Sequence, residues 1–158
     1  MTRRYYGTLY LVTPGEQLDP ERMYEDVVET YPDGTSHIDV ARELWSLAGD
    51  GARAAAIHEV VLRGRGRDSK KLHADDLEQL LGLLAGLDDA LTRTIADGNL
   101  EIRPERMAEV RRQARLIDVD EARGDLAKYA VMEGMTRVDT LRDLLSEALE
   151  RGLDVALD

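Results

Sequence analysis

The chain of 158 residues has no cysteine and a formal net charge of −11. This length suits one domain with a substantial core, and without cysteine the chain has no disulfide, thiolate nucleophile or zinc site built on cysteine. Because the negative charge is concentrated in residues 1–50 and 118–158, we expect the protein to repel nucleic acid and anionic membranes and to attract basic partners.

Apolar segments are short throughout the sequence. None approaches the roughly 20 apolar residues needed to cross a bilayer, and the run after Arg3 and Arg4 is too short and too rich in tyrosine for a signal peptide. No linker or internal repeat is evident. The sequence therefore predicts a cytoplasmic protein with a single globular domain over residues 1–158.

The N-terminal segment predicts a strand followed by a helix. Residues 4–12, RYYGTLYLV, have the composition of a strand buried on both faces. In the following segment, Asp19 is a good N-cap and Pro20 suits the first helical position. Val27 and Tyr31 would then share one face of a helix that ends at YPDG.

The next two segments read as helices of different clarity. HIDVARELWSLAGDG after Ser36 has the spacing of a short amphipathic helix. GARAAAIHEVVLRGRG is rich in alanine, which favours a helix, although its residues 54–63 also fit a strand. We favour a helix for this segment, with a strand over residues 54–63 as the alternative.

The basic segment RGRGRDSKK, residues 63–71, has neither the Walker arrangement nor the dinucleotide fingerprint. Asp75 and Asp76 follow in the first turn of the next helix, where a bound anion would have to lie. We interpret the segment as a mobile, exposed connector. Its arginines could also pair with acidic groups of the same chain or of a second copy.

Residues 74–96 have leucine at helical spacing and predict one central core helix with His73 as N-cap. Gly82 and Gly86 lie inside this helix. Glycines four residues apart allow a second backbone to approach closely, so we expect tight internal packing there. A groove for a partner is the alternative.

The C-terminal third predicts more helix and one strand. A turn and a very short strand at residues 97–104 lead into a helix that begins at Pro104, and a weaker helix follows that Gly134 ends. Thr136 is then a candidate N-cap for a last helix, in a capping box with Asp139.

The last helix is closed by Gly152, and LDVALD follows as a strand, so the two chain ends should meet in one sheet. The predicted fold is α+β: a helix-rich single domain with a small sheet. That sheet contains the N-terminal strand, the C-terminal strand and one or two short strands.

No local motif predicts a catalytic, cofactor or metal site. HEVVL lacks the second histidine of a zinc-protease helix, and DVDEARGDLAKY has Tyr129 where a calcium loop closes with glutamate. The sequence thus predicts no catalytic residue, no cofactor and no metal. An enzyme whose site converges from distant positions, using His37, His58 or Tyr10, is the remaining catalytic hypothesis.

The leading hypothesis is a non-enzymatic acidic binding protein. Small acidic proteins without a catalytic motif include immunity proteins and nuclease inhibitors, because a site built for phosphate attracts carboxylates. We therefore expect an immunity-type protein or inhibitor that neutralises a basic partner such as a nuclease toxin. The candidate partner-binding residues are Glu25, Asp26, Glu29, Tyr31, Asp33, Asp39, Asp139, Asp143, Glu147 and Glu150. The alternative is a structural or assembly protein that self-associates, as a homo-oligomer, or docks through helical faces.

Overall fold

The computed structural model describes residues 7–14, 27–96 and 123–157. Its strands are β1 (Leu9–Val12), β2 (Val27–Tyr31), β3 (Lys71–Leu72) and β4 (Asp154–Leu157). The helices of this part are α1 (Gly34–Leu47), α2 (Gly51–Arg65), α3 (Ala74–Leu84), α4 (Leu87–Ala96) and α5 (Arg123–Glu150). The predicted fold, helix-rich α+β with a small sheet, is confirmed.

The described strands form one antiparallel sheet in the order β2-β1-β4-β3. Strand β1 pairs with β4 so that Leu9 lies opposite Leu157. The prediction that the two chain ends meet in one sheet is therefore confirmed. Leu11 and Val12 point to opposite faces and both are fully buried, as expected for a strand covered on both sides.

One face of the sheet and the apolar faces of the helices share a single core. Helix α5 packs against α1 and α3, and α1 also packs against α2. The main core side chains are Leu9, Leu11, Ile38, Leu44, Trp45, Ile57, Val61, Leu72, Leu77, Leu80, Leu84, Leu87, Leu91, Val138, Leu141, Leu145, Val155 and Leu157. This aliphatic core follows from a sequence without phenylalanine.

Residues 27–31 form a strand, so the prediction of a helix through Val27 and Tyr31 is wrong. The sequence VVETY consists mainly of β-branched and aromatic residues, which fit a pleated surface better than a helix. Four of its residues pair with β1, and Tyr31 lies opposite Leu9. The predicted helix start at Asp19 and Pro20 lies outside the described residues.

The ambiguous segment at residues 54–63 is helical, as favoured. Helix α2 begins after Asp50, whose side chain accepts a hydrogen bond from the Arg53 N–H at 3.0 Å. Helix α1 also confirms its prediction, although it begins at Gly34, two residues before Ser36.

The predicted central helix is two helices, because the chain turns sharply at Gly86. Gly86 has φ of +82°, a left-handed conformation that suits glycine. The last carbonyls of α3 have arginine donors: Arg142 Nη2 lies 2.6 Å from the Leu84 oxygen, and Arg53 Nη1 lies 2.7 Å from the Ala85 oxygen. A Cβ at Gly82 would meet no atom within 4 Å, so the prediction of close packing there is wrong.

Helix α5 runs without a break through Gly134, contrary to the predicted helix end. A Cβ at Gly134 would lie 3.1 Å from the Leu44 side chain and 3.3 Å from that of Val40. The glycine therefore permits α1 to approach α5 instead of ending a helix. Thr136 is not an N-cap, since its hydroxyl donates to the Met132 carbonyl within the helix. Gly152, with φ of +64°, follows the end of α5 as predicted.

The short strand predicted at residues 97–104 and the helix predicted from Pro104 lie outside the described residues. Of the helices that the structure describes, none combines the length and the apolar character that a membrane span requires.

Candidate functional site

Four of the predicted partner-binding acids form a stripe along α5. Their spacings of four, four and three residues place them on one side of the helix, away from the buried side chains of Val138, Leu141 and Leu145. Three of the four are exposed and one is half-buried. This acidic stripe consists of Asp139, Asp143, Glu147 and Glu150.

The C-terminal end of the stripe meets β2. The Tyr31 hydroxyl donates to Glu147 Oε2 at 2.8 Å, although the two residues are 116 positions apart in sequence. Arg151 Nη1 lies 3.0 Å from Glu147 Oε1 and 3.5 Å from Glu29 Oε2. The structure thus brings together three residues predicted from two separate segments. We call Glu29, Tyr31, Glu147 and Arg151 the carboxylate cluster.

The ionisation of the carboxylate cluster is set by its own contacts. Burial and the neighbouring charges of Glu147 and Glu29 raise the pKa of Tyr31 to about 12. The hydrogen bond from Tyr31, together with Arg151, lowers the pKa of Glu147. At neutral pH the Tyr31 hydroxyl is therefore protonated and donates the hydrogen bond, and Glu147 is ionised and accepts it.

The other predicted site residues are dispersed. Asp33 is exposed just before α1, and Asp39 forms an ion pair with Arg42 at 3.4 Å. Asp39 lines an open groove of about 760 Å³ between α1 and α2, and none of the described groove residues belongs to the carboxylate cluster. Glu25 and Asp26 lie outside the described residues.

The basic segment is anchored, so the prediction of a mobile connector is wrong. Ser69 is 3% exposed and Lys71 is 1% exposed. Arg67 donates to the carboxylate of Asp76 and, at 3.0 Å, to the Lys71 carbonyl, while Arg63 Nη2 lies 3.1 Å from Asp76 Oδ1. The expectation that these arginines pair within the chain is thus confirmed for Arg63 and Arg67.

A second group of ionic contacts surrounds Asp76 at β3. The N–H of His73, which is the N-cap of α3 as predicted, donates to Asp76 Oδ2 at 2.9 Å. His73 Nδ1 lies 2.8 Å from Oδ2 of the buried Asp154. We call Arg63, Arg67, His73, Asp76 and Asp154 the β3 network.

The contacts of the β3 network lower the pKa of Asp76. Burial acts to raise this pKa, but the hydrogen bonds from Arg67 and the His73 N–H, with the charge of Arg63, lower it below 3.8 overall. Asp76 is therefore ionised near neutral pH despite being 3% exposed. Each of its oxygens has a donor within the chain, which leaves it poorly placed to receive a ligand.

Sequence reasoning missed the pairing of His73 with Asp154. The signal for part of the network was present, because an acid three residues after an N-cap is the pattern of a capping box. The contact with Asp154 depends on the pairing of β3 with β4, and a strand of two residues, Lys71–Leu72, leaves no periodic pattern.

Within residues 7–14, 27–96 and 123–157, no three or more histidine, aspartate or glutamate side chains are arranged to hold a metal ion. Comparison with protein-family models, curated proteins and solved structures gives no match. The case for a function therefore depends on the residues of this chain alone.

Proposed function

We propose that this protein is a non-enzymatic binding protein that neutralises a basic protein partner, as immunity proteins and inhibitors do. Its binding surface is the acidic stripe of α5 together with the carboxylate cluster. One observation carries the proposal: residues from β2 and from α5 converge, so that a row of carboxylates ends beside a tyrosine.

The acidic stripe supplies charge that is available to a partner. Asp143 and Glu150 are exposed. Exposed carboxylates attract a basic surface at long range and raise the rate of association, an effect that salt weakens. The stripe therefore supports association with a basic partner at a high rate, and this rate should fall as the ionic strength rises.

The carboxylate cluster supplies the local anchor. Tyr31 is half-buried against the core and its hydroxyl donates to Glu147, and tyrosine is enriched among the residues that contribute most of the binding energy at protein interfaces. Arg151 is 44% exposed in its side chain. A basic side chain of the partner could thus take the place of Arg151 between Glu29 and Glu147.

The test is capture of a partner from a lysate of the source organism by three forms of the protein. In the stripe variant, Asp139→Asn, Asp143→Asn and Glu150→Gln are combined. The matched control removes the same number of charges from exposed acids elsewhere, with Glu59→Gln, Asp68→Asn and Glu78→Gln.

We expect the wild type and the control to retain one stoichiometric basic protein at low salt and to release it at high salt, whereas the stripe variant retains none. Equal capture by both variants would contradict the proposed surface. Recovery of the protein only with copies of itself would replace the proposal by the assembly function.

A further inference from the structure

Strand β2 lies at one edge of the described sheet. It pairs with β1 on one side, and no described strand pairs with it on the other side. Its three middle residues, Val28, Glu29 and Thr30, are all exposed. A free edge of this kind presents backbone N–H and C=O groups that can pair with a further strand.

The hydrogen bonds of the sheet identify the backbone groups of β2 that face this edge. The Leu157 N–H donates to the Lys70 carbonyl at 2.8 Å, so the backbone groups of Leu157 point towards β3. Those of Leu9, which lies opposite Leu157, therefore point away from β4 and towards Tyr31 of β2. Because these directions alternate along an antiparallel strand, the N–H and C=O of Thr30 point to the free edge.

Two features limit the free edge to a short segment. The register between β1 and β2 shifts so that Val28 is the extra residue of a bulge. Pro32, which has no N–H, follows the strand. Bulges and proline are devices by which edge strands avoid long, indiscriminate pairing. An added strand would therefore pair mainly at Thr30, and side chains would have to supply the remaining affinity and the selectivity.

The side chains beside this edge favour a basic strand. The contact of Tyr31 with Glu147 places Tyr31, and Glu29 two residues before it, on the face of β2 that meets α5. In an added strand, the neighbours of the residue that pairs with Thr30 would direct their side chains to that same face. Basic side chains there would lie beside Glu29, whose side chain is 44% exposed.

A second copy of the chain suits this edge less well than a basic strand. Antiparallel pairing of β2 with the β2 of another copy would bring both carboxylate clusters and both acidic stripes to the same face of the continued sheet. Like charges on neighbouring strands are destabilising, and the two stripes would add to that repulsion. Charge complementarity therefore selects a basic segment as the occupant.

We propose that the basic partner adds an extended segment to the β2 edge, with its backbone paired at Thr30 and alternate basic side chains beside Glu29. This inference rests on the proposed function, because it specifies how that partner binds. It goes further by assigning the partner a segment in β conformation with basic residues at every second position.

The test uses a short blocked peptide of alternating lysine and threonine, labelled for fluorescence anisotropy at low salt. A second peptide has N-methyl groups on its threonines, which removes backbone donors and retains every charge. Thr30→Pro removes the N–H at the free edge, at a position where proline breaks no hydrogen bond to β1. Thr30→Val keeps that N–H and is the matched control. Urea unfolding checks that both variants fold.

We expect the wild type and Thr30→Val to bind the unmodified peptide. Binding should be at least about tenfold weaker for the N-methylated peptide on the wild type and for the unmodified peptide on Thr30→Pro. The comparison of the two peptides on the wild type needs no variant, so it is decisive even if Thr30→Pro does not fold.

Equal binding of the two peptides by the wild type would overturn strand addition and would leave recognition by charge alone, which the proposed function requires. Binding of neither peptide would also overturn strand addition, whereas capture from the lysate decides the proposed function separately. Self-association of the wild type that Thr30→Pro abolishes would assign the edge to a second copy and overturn the inference.

Discussion

The described sheet has an ionic group at each edge, and the two groups differ chiefly in burial. The carboxylate cluster lies at the β2 edge and the β3 network lies at the β3 edge. Both combine arginine, two carboxylates and a ring that can form hydrogen bonds. The difference lies in the carboxylates, since the Glu147 side chain is 36% exposed whereas the Asp76 side chain is 5% exposed. The comparison indicates that the buried carboxylate stabilises the fold, whereas the exposed carboxylate is available to bind a partner.

The physical reason is the cost of leaving a charge without its partner. A buried ion that loses its partner keeps its desolvation penalty, whereas an exposed ion recovers most of the interaction from water. Asp76 is fixed by donors from Arg63, Arg67 and the His73 N–H. Glu147 is held by Tyr31 and Arg151 in an open position, so it can exchange Arg151 for another cation.

The largest expected effect is the loss of stability in Asp76→Ala. This change leaves Arg67 without its carboxylate and the His73 N–H without its acceptor, so we expect the free energy of unfolding to fall by about 2–4 kcal/mol. Urea denaturation measures the change. The adjacent and exposed Asp75 is the control, and Asp75→Ala should cost no more than about 1 kcal/mol.

The same contact predicts how stability depends on acid. Because the folded protein lowers the pKa of Asp76 below 3.8, its contribution is complete above that pH and is lost as the pH falls through the folded value. The difference in unfolding free energy between the wild type and Asp76→Ala should therefore shrink in acid. A difference that stays constant from neutral pH into that range would show that Asp76 does not titrate as described.

At the other edge, the titration of Tyr31 should report its contact with Glu147. Its pKa of about 12 means that its stabilising contribution is present below pH 10 and is lost as the pH rises towards 12. Tyrosinate absorbance should contain a late step from Tyr31. That step should vanish in Tyr31→Phe and move to lower pH in Glu147→Gln. If Tyr31→Phe retains the late step, another tyrosine is responsible for it.

The sequence predicted several elements that have a clear local pattern, and it missed the helix break and the side-chain contacts that depend on distant residues. The two terminal strands and α1 carry clear composition or spacing signals, and they were predicted correctly. The break at Gly86 was missed because leucine spacing continues across it from Leu84 to Leu87. Its two arginine donors, Arg53 and Arg142, come from distant segments.

The candidate site shows the same limit. Acidic side chains could be selected from the sequence, but their grouping could not, because residues 27–31 were expected in a helix. With Tyr31 on strand β2 opposite Leu9, its hydroxyl reaches Glu147 on α5. The β3 network depends on a two-residue strand whose partner, β4, is more than 80 positions away in sequence.

The smallest expected effect on stability is that of Glu147→Gln. This variant tests directly whether the carboxylate cluster, unlike the β3 network, contributes to binding more than to stability. Glu147 has the partners of a structural residue, namely Tyr31 and Arg151, but its position is open to water. We expect its urea midpoint to fall only slightly below that of Glu150→Gln, an exposed control on the same stripe, because the contacts of Glu147 with Tyr31 and Arg151 are open to water. Binding of a basic partner should nevertheless weaken more in Glu147→Gln, because Tyr31 then loses its charged acceptor. If Glu147→Gln instead lowers stability as much as Asp76→Ala, the ionic groups at both edges of the sheet serve to stabilise the fold. That result would contradict the proposal that the β2 edge is a binding surface.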